Sequence, residues 1–273
     1  KPISAILCIL LFGVAFVAIG QEVPPQPSEE SEFSQQLWAS FDTSYKLSEK
    51  KQIKGDLGYR TIWPASWNKF IVRGGLEVAT DGLILKLFKK IKTQENYTYG
   101  LGMFYLDSDT GSNSFELRPY QGYRVSFKAS DRLAFGQYLR LEERFQFSES
   151  KGNSFGMRLR YQVTGVIRPK RHFFREESGV YFPMEAEIFF NIKKTSQFND
   201  VLRLSPGIGY QINYGFRLQA AIAYHYVQDE AGQVAKSNDL IYKFKIYKTL
   251  NFDKKNPETK PNEPSGEPDF RKP

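Results

Sequence analysis

Two adjacent segments, 115–128 and 133–147, alternate strictly between apolar and polar residues. One parity carries Leu117, Tyr123, Val125 and Phe127, then Leu133, Phe135, Leu139, Leu141, Phe145 and Phe147. The other carries Glu116, Arg118 and Arg124, then Arg140, Glu142 and Arg144. A period of two describes strands whose faces meet two different surroundings. A soluble sheet turns its greasy face to a core and has no call for so many arginines opposite it. Aromatic residues backed by Arg and Glu fit a transmembrane barrel instead, with lipid outside and a polar lumen inside.

The first residues agree with export. Lys1 precedes an apolar run from Ile3 to Ile19, and small residues lead to Gly20. This is the pattern of a cleaved secretory signal over 1–20. A membrane anchor is the competing reading, but the run is at the short edge of the ~17–25 residues a spanning helix needs. Cys8, the sole cysteine, lies inside that run, so the exported chain is expected to lack disulfides and thiolate chemistry altogether. Residues 21–35 read as a flexible Pro/Ser/Glu-rich lead, 36–252 as the barrel, and 253–273, rich in Lys, Pro, Glu and Asn, as a disordered periplasmic tail.

The expected fold is all-β: an antiparallel up-and-down barrel of about twelve strands, with roughly ten to fourteen admissible. The twelve candidates begin at 36–47 and end at 238–252; the segment 82–91 is the weakest and reads equally as a short helix. An even count places both termini in the periplasm and the barrel in the outer membrane. Short connections at 129–131 and 213–214 then fall on the periplasmic side, and longer polar ones at 107–113, 149–153 and 229–236 outside. The short link at 48–50 and the long one at 169–179 fit this scheme badly. Trp38, Trp63, Trp67, Tyr45, Tyr59, Tyr181 and Tyr242 lie near strand ends, where an interfacial aromatic girdle is expected.

A three-residue turn at 129–131 would set Glu116 opposite Arg144, Arg118 opposite Glu142 and Tyr120 opposite Arg140. Arg158 and Arg160 on the next strand would share Glu142. These residues, with Arg124, are the candidate lumen-lining or bracing set. Cross-bracing is preferred to pore lining, because opposite charges in contact neutralise one another. Glu143 is the exception on the lipid-facing parity, expected at the membrane interface or beyond its edge.

The run Leu139-Arg140-Leu141-Glu142-Glu143-Arg144-Phe145, followed by Arg158-Leu159-Arg160-Tyr161, resembles an outer-membrane barrel family known as domain of unknown function 2490. Glu187-Ile188-Phe189-Phe190-Asn191, Arg203-Leu204 and Gly207-Ile208-Gly209-Tyr210-Gln211 extend the resemblance over roughly 36–252. It implies an outer-membrane barrel and supplies no activity or catalytic residues.

Three functions remain open from the residues alone. The first is a non-enzymatic structural or interaction barrel with an Arg/Glu-braced lumen. The second is a small-solute channel biased toward anions. The third is a lipid hydrolase or acyltransferase using His225 or His172, although neither histidine sits in a nucleophile motif. No cofactor or metal is expected. The expected partners are outer-membrane lipid and a small anionic solute; the sequence names no protein partner. The net charge of +8 is dispersed rather than clustered, which argues against nucleic acid.

Overall fold

The computed structural model describes residues 33–250 apart from 64–66, 81, 83–92, 109–112, 131, 151, 170–178, 195–198, 214 and 229–236. Eleven strands make up the described residues: β1 (Phe33–Lys46), β2 (Lys51–Trp63), β3 (Trp67–Thr80), β4 (Thr93–Ser108), β5 (Ser114–Lys128), β6 (Leu133–Ser148), β7 (Gly152–Ile167), β8 (Gly179–Lys193), β9 (Asn199–Asn213), β10 (Phe216–Gln228) and β11 (Ser237–Thr249). They close into one barrel in which each strand pairs antiparallel with its chain neighbours, and β1 meets β11 in parallel. The signal, the lead up to residue 32, the tail and His172 lie outside the described residues.

The count is eleven against about twelve expected. The candidate strand over 82–91 lies outside the described residues apart from Gly82, and β3 pairs directly with β4, with Thr80 opposite Glu95. No wall strand stands between them. In the eleven-strand order the 47–50 link shares a rim with the links at 129–132 and 214–215, and also with the longer ones over 81–92 and 168–178. An odd count has a second consequence. Phe33 faces Asn238 and Ser44 faces Thr249 across the parallel seam, so the wall begins at one rim and ends at the other. The even-count argument for both termini on one side therefore fails for this wall.

Apolar residues cover the outside. Leu57, Phe70, Tyr99, Leu139, Met184, Phe190, Ile208, Ile222 and Phe244 are all exposed, whereas Glu142, Arg144, Arg158, Glu187 and Arg203 are buried within. This inverts the soluble pattern. Trp63 and Tyr45 are exposed on the outside near strand ends, as a girdle requires; Tyr242 is exposed too but sits mid-strand, opposite Leu37 and Ile222. Trp38 and Tyr181 are not: both are buried on the inward parity of their strands. Aromatic character alone does not choose a face; parity does. Glu143 is half-buried on β6 opposite Met157, between Leu141 and Phe145, inside the apolar belt rather than at its edge.

The register of β5 against β6 is two residues from the expected one. Ala129 N–H donates to the Leu133 carbonyl at 2.9 Å, so the loop is longer than three residues. Glu116 faces Gln146, Tyr120 faces Glu142 and Gly122 faces Arg140. A slip of two keeps every side chain on its face. The ladder skips Arg118 and Pro119, where proline has no N–H to give.

Candidate functional site

Three carboxylates organise the lumen toward the rim where β1 begins. Glu116 accepts from Arg118 Nε at 2.9 Å and Nη2 at 2.7 Å, and from Arg144 Nε at 2.7 Å. Glu142 accepts from Arg158 Nε at 3.0 Å and Nη2 at 2.6 Å, from Arg118 Nη1 at 3.4 Å, and pairs with Arg140. Glu187 on β8 pairs with Arg203 Nη1 at 2.7 Å and with Arg160. The expected Glu116–Arg144 and Arg118–Glu142 contacts thus form despite the slipped register, because long arginines reach diagonal neighbours. Arg158 joins Glu142 as expected; Arg160 turns instead to Glu187.

Aromatic faces complete the layer. Phe189 lies under Arg158, Arg160 and Arg203, at 4.7, 5.7 and 5.2 Å from guanidinium carbon to ring centroid. Trp38 lies between Arg60 at 3.6 Å and Arg203 at 4.7 Å. A guanidinium stacked on a ring keeps its in-plane donors for carboxylates, so one side chain serves both contacts. Glu142 and Glu187 have 0% of their surface accessible.

Arg124 stands apart from this layer. Its Nε is 3.7 Å from Glu77 Oε1, and Glu77 also pairs with Lys54 and accepts from Gln52. Nearby, Arg73 Nε sits 2.9 Å from both oxygens of Asp56. A third group stands at the seam. Gln36 donates to Asp239 at 2.7 Å, Ser34 also donates to Asp239, and His225 Nδ1 is 3.6 Å from the same carboxylate. His225 Nε2 is 3.2 Å from Arg203 Nη2. A serine, an aspartate and a histidine meet here, but the serine hydroxyl points at the carboxylate. No group of three or more His, Cys, Asp or Glu among the described residues is arranged to hold a metal ion.

Glu187, Arg203, Asp56, Arg73, Glu77 and Asp239 were not in the candidate set. Their signal was present, since Glu185 and Glu187 alternate with outward residues as Glu116 and Arg118 do. It is obscured by a change of parity: paired numbers in the β7–β8 ladder sum to an odd total, as with Arg158 and Asn191, so the inward face is even on β7 and odd on β8.

Between the charged layer and the opposite rim lies a cavity of about 180 Å³. Its lining includes Arg124, Arg140, Arg160, Lys54, Arg73 and Lys245, with Asp42, Asp56, Glu77 and Glu185, and the aromatic rings of Tyr120, Tyr138 and Tyr247. Two rings are admitted by glycine. A Cβ at Gly100 would overlap the Tyr120 ring, and one at Gly122 would come within 2.6 Å of Tyr138 Cε2. The same device at Gly209 admits Tyr181.

Residues 35–236 match the model of the family described as protein of unknown function, DUF2490. The chain belongs to that family. For DUF2490 this chain supplies a braced barrel with a charged interior. A search of curated proteins finds no match. Among solved structures, the NanC porin in a rhombohedral crystal form is similar to this DUF2490 chain at 13% identity and a TM-score of 0.40, covering 77% of this chain and 99% of that one.

Proposed function

We propose that this protein is an outer-membrane barrel acting as a non-enzymatic structural or interaction scaffold, with a lumen sealed by its own charged side chains. The continuous apolar outer surface supports a lipid surround, since soluble monomers rarely expose contiguous apolar patches beyond a few hundred Å². The observation that carries the closed lumen is the 0% accessible surface of Glu142 and Glu187. Side chains lining a water-filled path would be wetted; these two touch arginines instead.

A small-solute channel with anion bias is the second reading, and the cationic cavity lining favours it. Planar-bilayer recording of the refolded mature chain separates the two, once heat-modifiability on gels has verified the barrel. The scaffold gives a silent membrane. Stable ohmic steps with anion preference overturn the closed lumen and establish the channel.

A further inference from the structure

We infer that the central cavity is a binding site for one small oxyanion: a phosphate, sulfonate or carboxylate group on a skeleton no larger than a benzene ring. The inference rests on the closed-lumen reading, because a lumen blocked by its charged layer holds an anion in the cavity beside it rather than passing it.

Arg140 and Arg160 are directly opposed on β6 and β7. Like charges facing each other across strands repel. Their terminal nitrogens are held by Glu142 and Glu187 on the side of the charged layer. Their Nε–H groups are buried without a hydrogen-bond partner among the described residues, and both residues line the cavity. Arg124, whose Nε is 3.7 Å from Glu77 Oε1, lines it too. Arg140 is only 8% exposed. A buried donor with no acceptor is destabilising, and a guanidinium edge is the group best matched to a two-oxygen acceptor. An oxyanion between Arg140 and Arg160 would accept from both Nε–H groups and relieve their repulsion.

The surroundings limit what the anion can be. Arg140 lies 5.0 Å from the Tyr120 centroid and Arg124 4.3 Å from that of Tyr138, so the donors are backed by rings that hold their orientation. The Tyr138 hydroxyl is 2.7 Å from Thr98 Oγ1, which fixes that ring in turn. A volume of about 180 Å³ is close to that of an engineered cavity of ~150 Å³ that accepts benzene. It admits a small organic acid or a free inorganic oxyanion and excludes a lipid headgroup with its chains.

The test is titration of the refolded full-length barrel with sodium sulfate, inorganic phosphate and sodium benzoate, each against sodium chloride at equal ionic strength. Thermal midpoint and near-ultraviolet circular dichroism of the cavity tyrosines are the readouts. Saturable binding by sulfate or phosphate, weakened at least tenfold by Arg140→Gln, is the expected result. Binding of benzoate as well identifies an organic acid as the occupant class; sulfate and phosphate alone identify a free inorganic anion. Should Arg140→Gln not give a heat-modifiable barrel, Arg124→Gln takes its place, since Glu77 keeps Lys54 as a partner. No saturable response beyond chloride, or unchanged affinity in the folded variant, overturns the site. Saturable binding in a barrel that also conducts leaves the site standing and removes the closed lumen.

Discussion

Glu142→Gln removes one charge and almost no volume, so it isolates the electrostatic contribution of the central brace. Glu142 is completely buried and meets Arg118, Arg140 and Arg158. Removing one partner of a buried ion pair costs about 3–5 kcal/mol, because the remaining charge is left without compensation. Here three guanidiniums share the loss, and the amide turns an N–H toward one of them. With a urea slope of about 3 kcal/mol per molar for a chain of this size, the midpoint should fall by about 1–1.5 M. The assay is equilibrium unfolding in lipid vesicles, followed by gel shift and tyrosine fluorescence. The control is Glu49→Gln, in the exposed β1–β2 turn, which should leave the midpoint in place. A loss below about 0.5 kcal/mol, the range of ordinary surface substitutions, would mean that water reaches Glu142 and would refute the sealed layer.

Four further substitutions probe the wall. Gly209→Ala pushes a Cβ into the Tyr181 ring and should cost about 1–3 kcal/mol, while Gly74→Ala, whose Cβ meets nothing within 4 Å, should be neutral; equal midpoints for the two would disprove the tyrosine-over-glycine packing. Glu143→Leu takes a carboxylate out of the apolar belt and should raise stability in vesicles by about 1 kcal/mol, with lower stability as the contrary result. Asp239→Leu strips the acceptor from Ser34 and Gln36 and should cost about 2–3 kcal/mol. Amide exchange should then accelerate along β1 and β11 and not along β5–β6; uniform acceleration would show that the seam is not a separate unit.

How much of this was legible depended on the local pattern. Strict alternation over 115–147 gave both the strands and their faces, because period two is a property of the chain itself. The run Leu83–Phe88 does not alternate, and the twelfth candidate strand rested on it. Register depended on one turn, and a turn two residues longer moved every pairing while sparing every face. Trp38 was misplaced by residue type, although its parity with Gln36 and Asp42 put it inside. The braces at Glu187 and Asp239 needed knowledge of which strands become neighbours. Asp239 and Gln36 are brought together by ring closure, and no local feature of either segment announces it.

Ring closure also explains where the seam network sits. Antiparallel neighbours can alternate around a complete ring only if their number is even, so eleven strands require one parallel pair. That pair falls at β1–β11, the place where neighbours need no hairpin between them. Parallel ladders are slightly weaker per residue, and these two strands have no turn to hold them together. Side chains supply additional links across the seam: Ser34 and Gln36 to Asp239, Ser44 Oγ to Thr249 Oγ1 at 3.3 Å, and Lys243 5.6 Å from the Trp38 ring. With its apolar residues committed to the outer surface, this barrel has few left for a core. Ion pairs, stacked guanidiniums and buried hydrogen bonds hold the lumen together instead, and they leave a cavity only between the charged layer and the opposite rim.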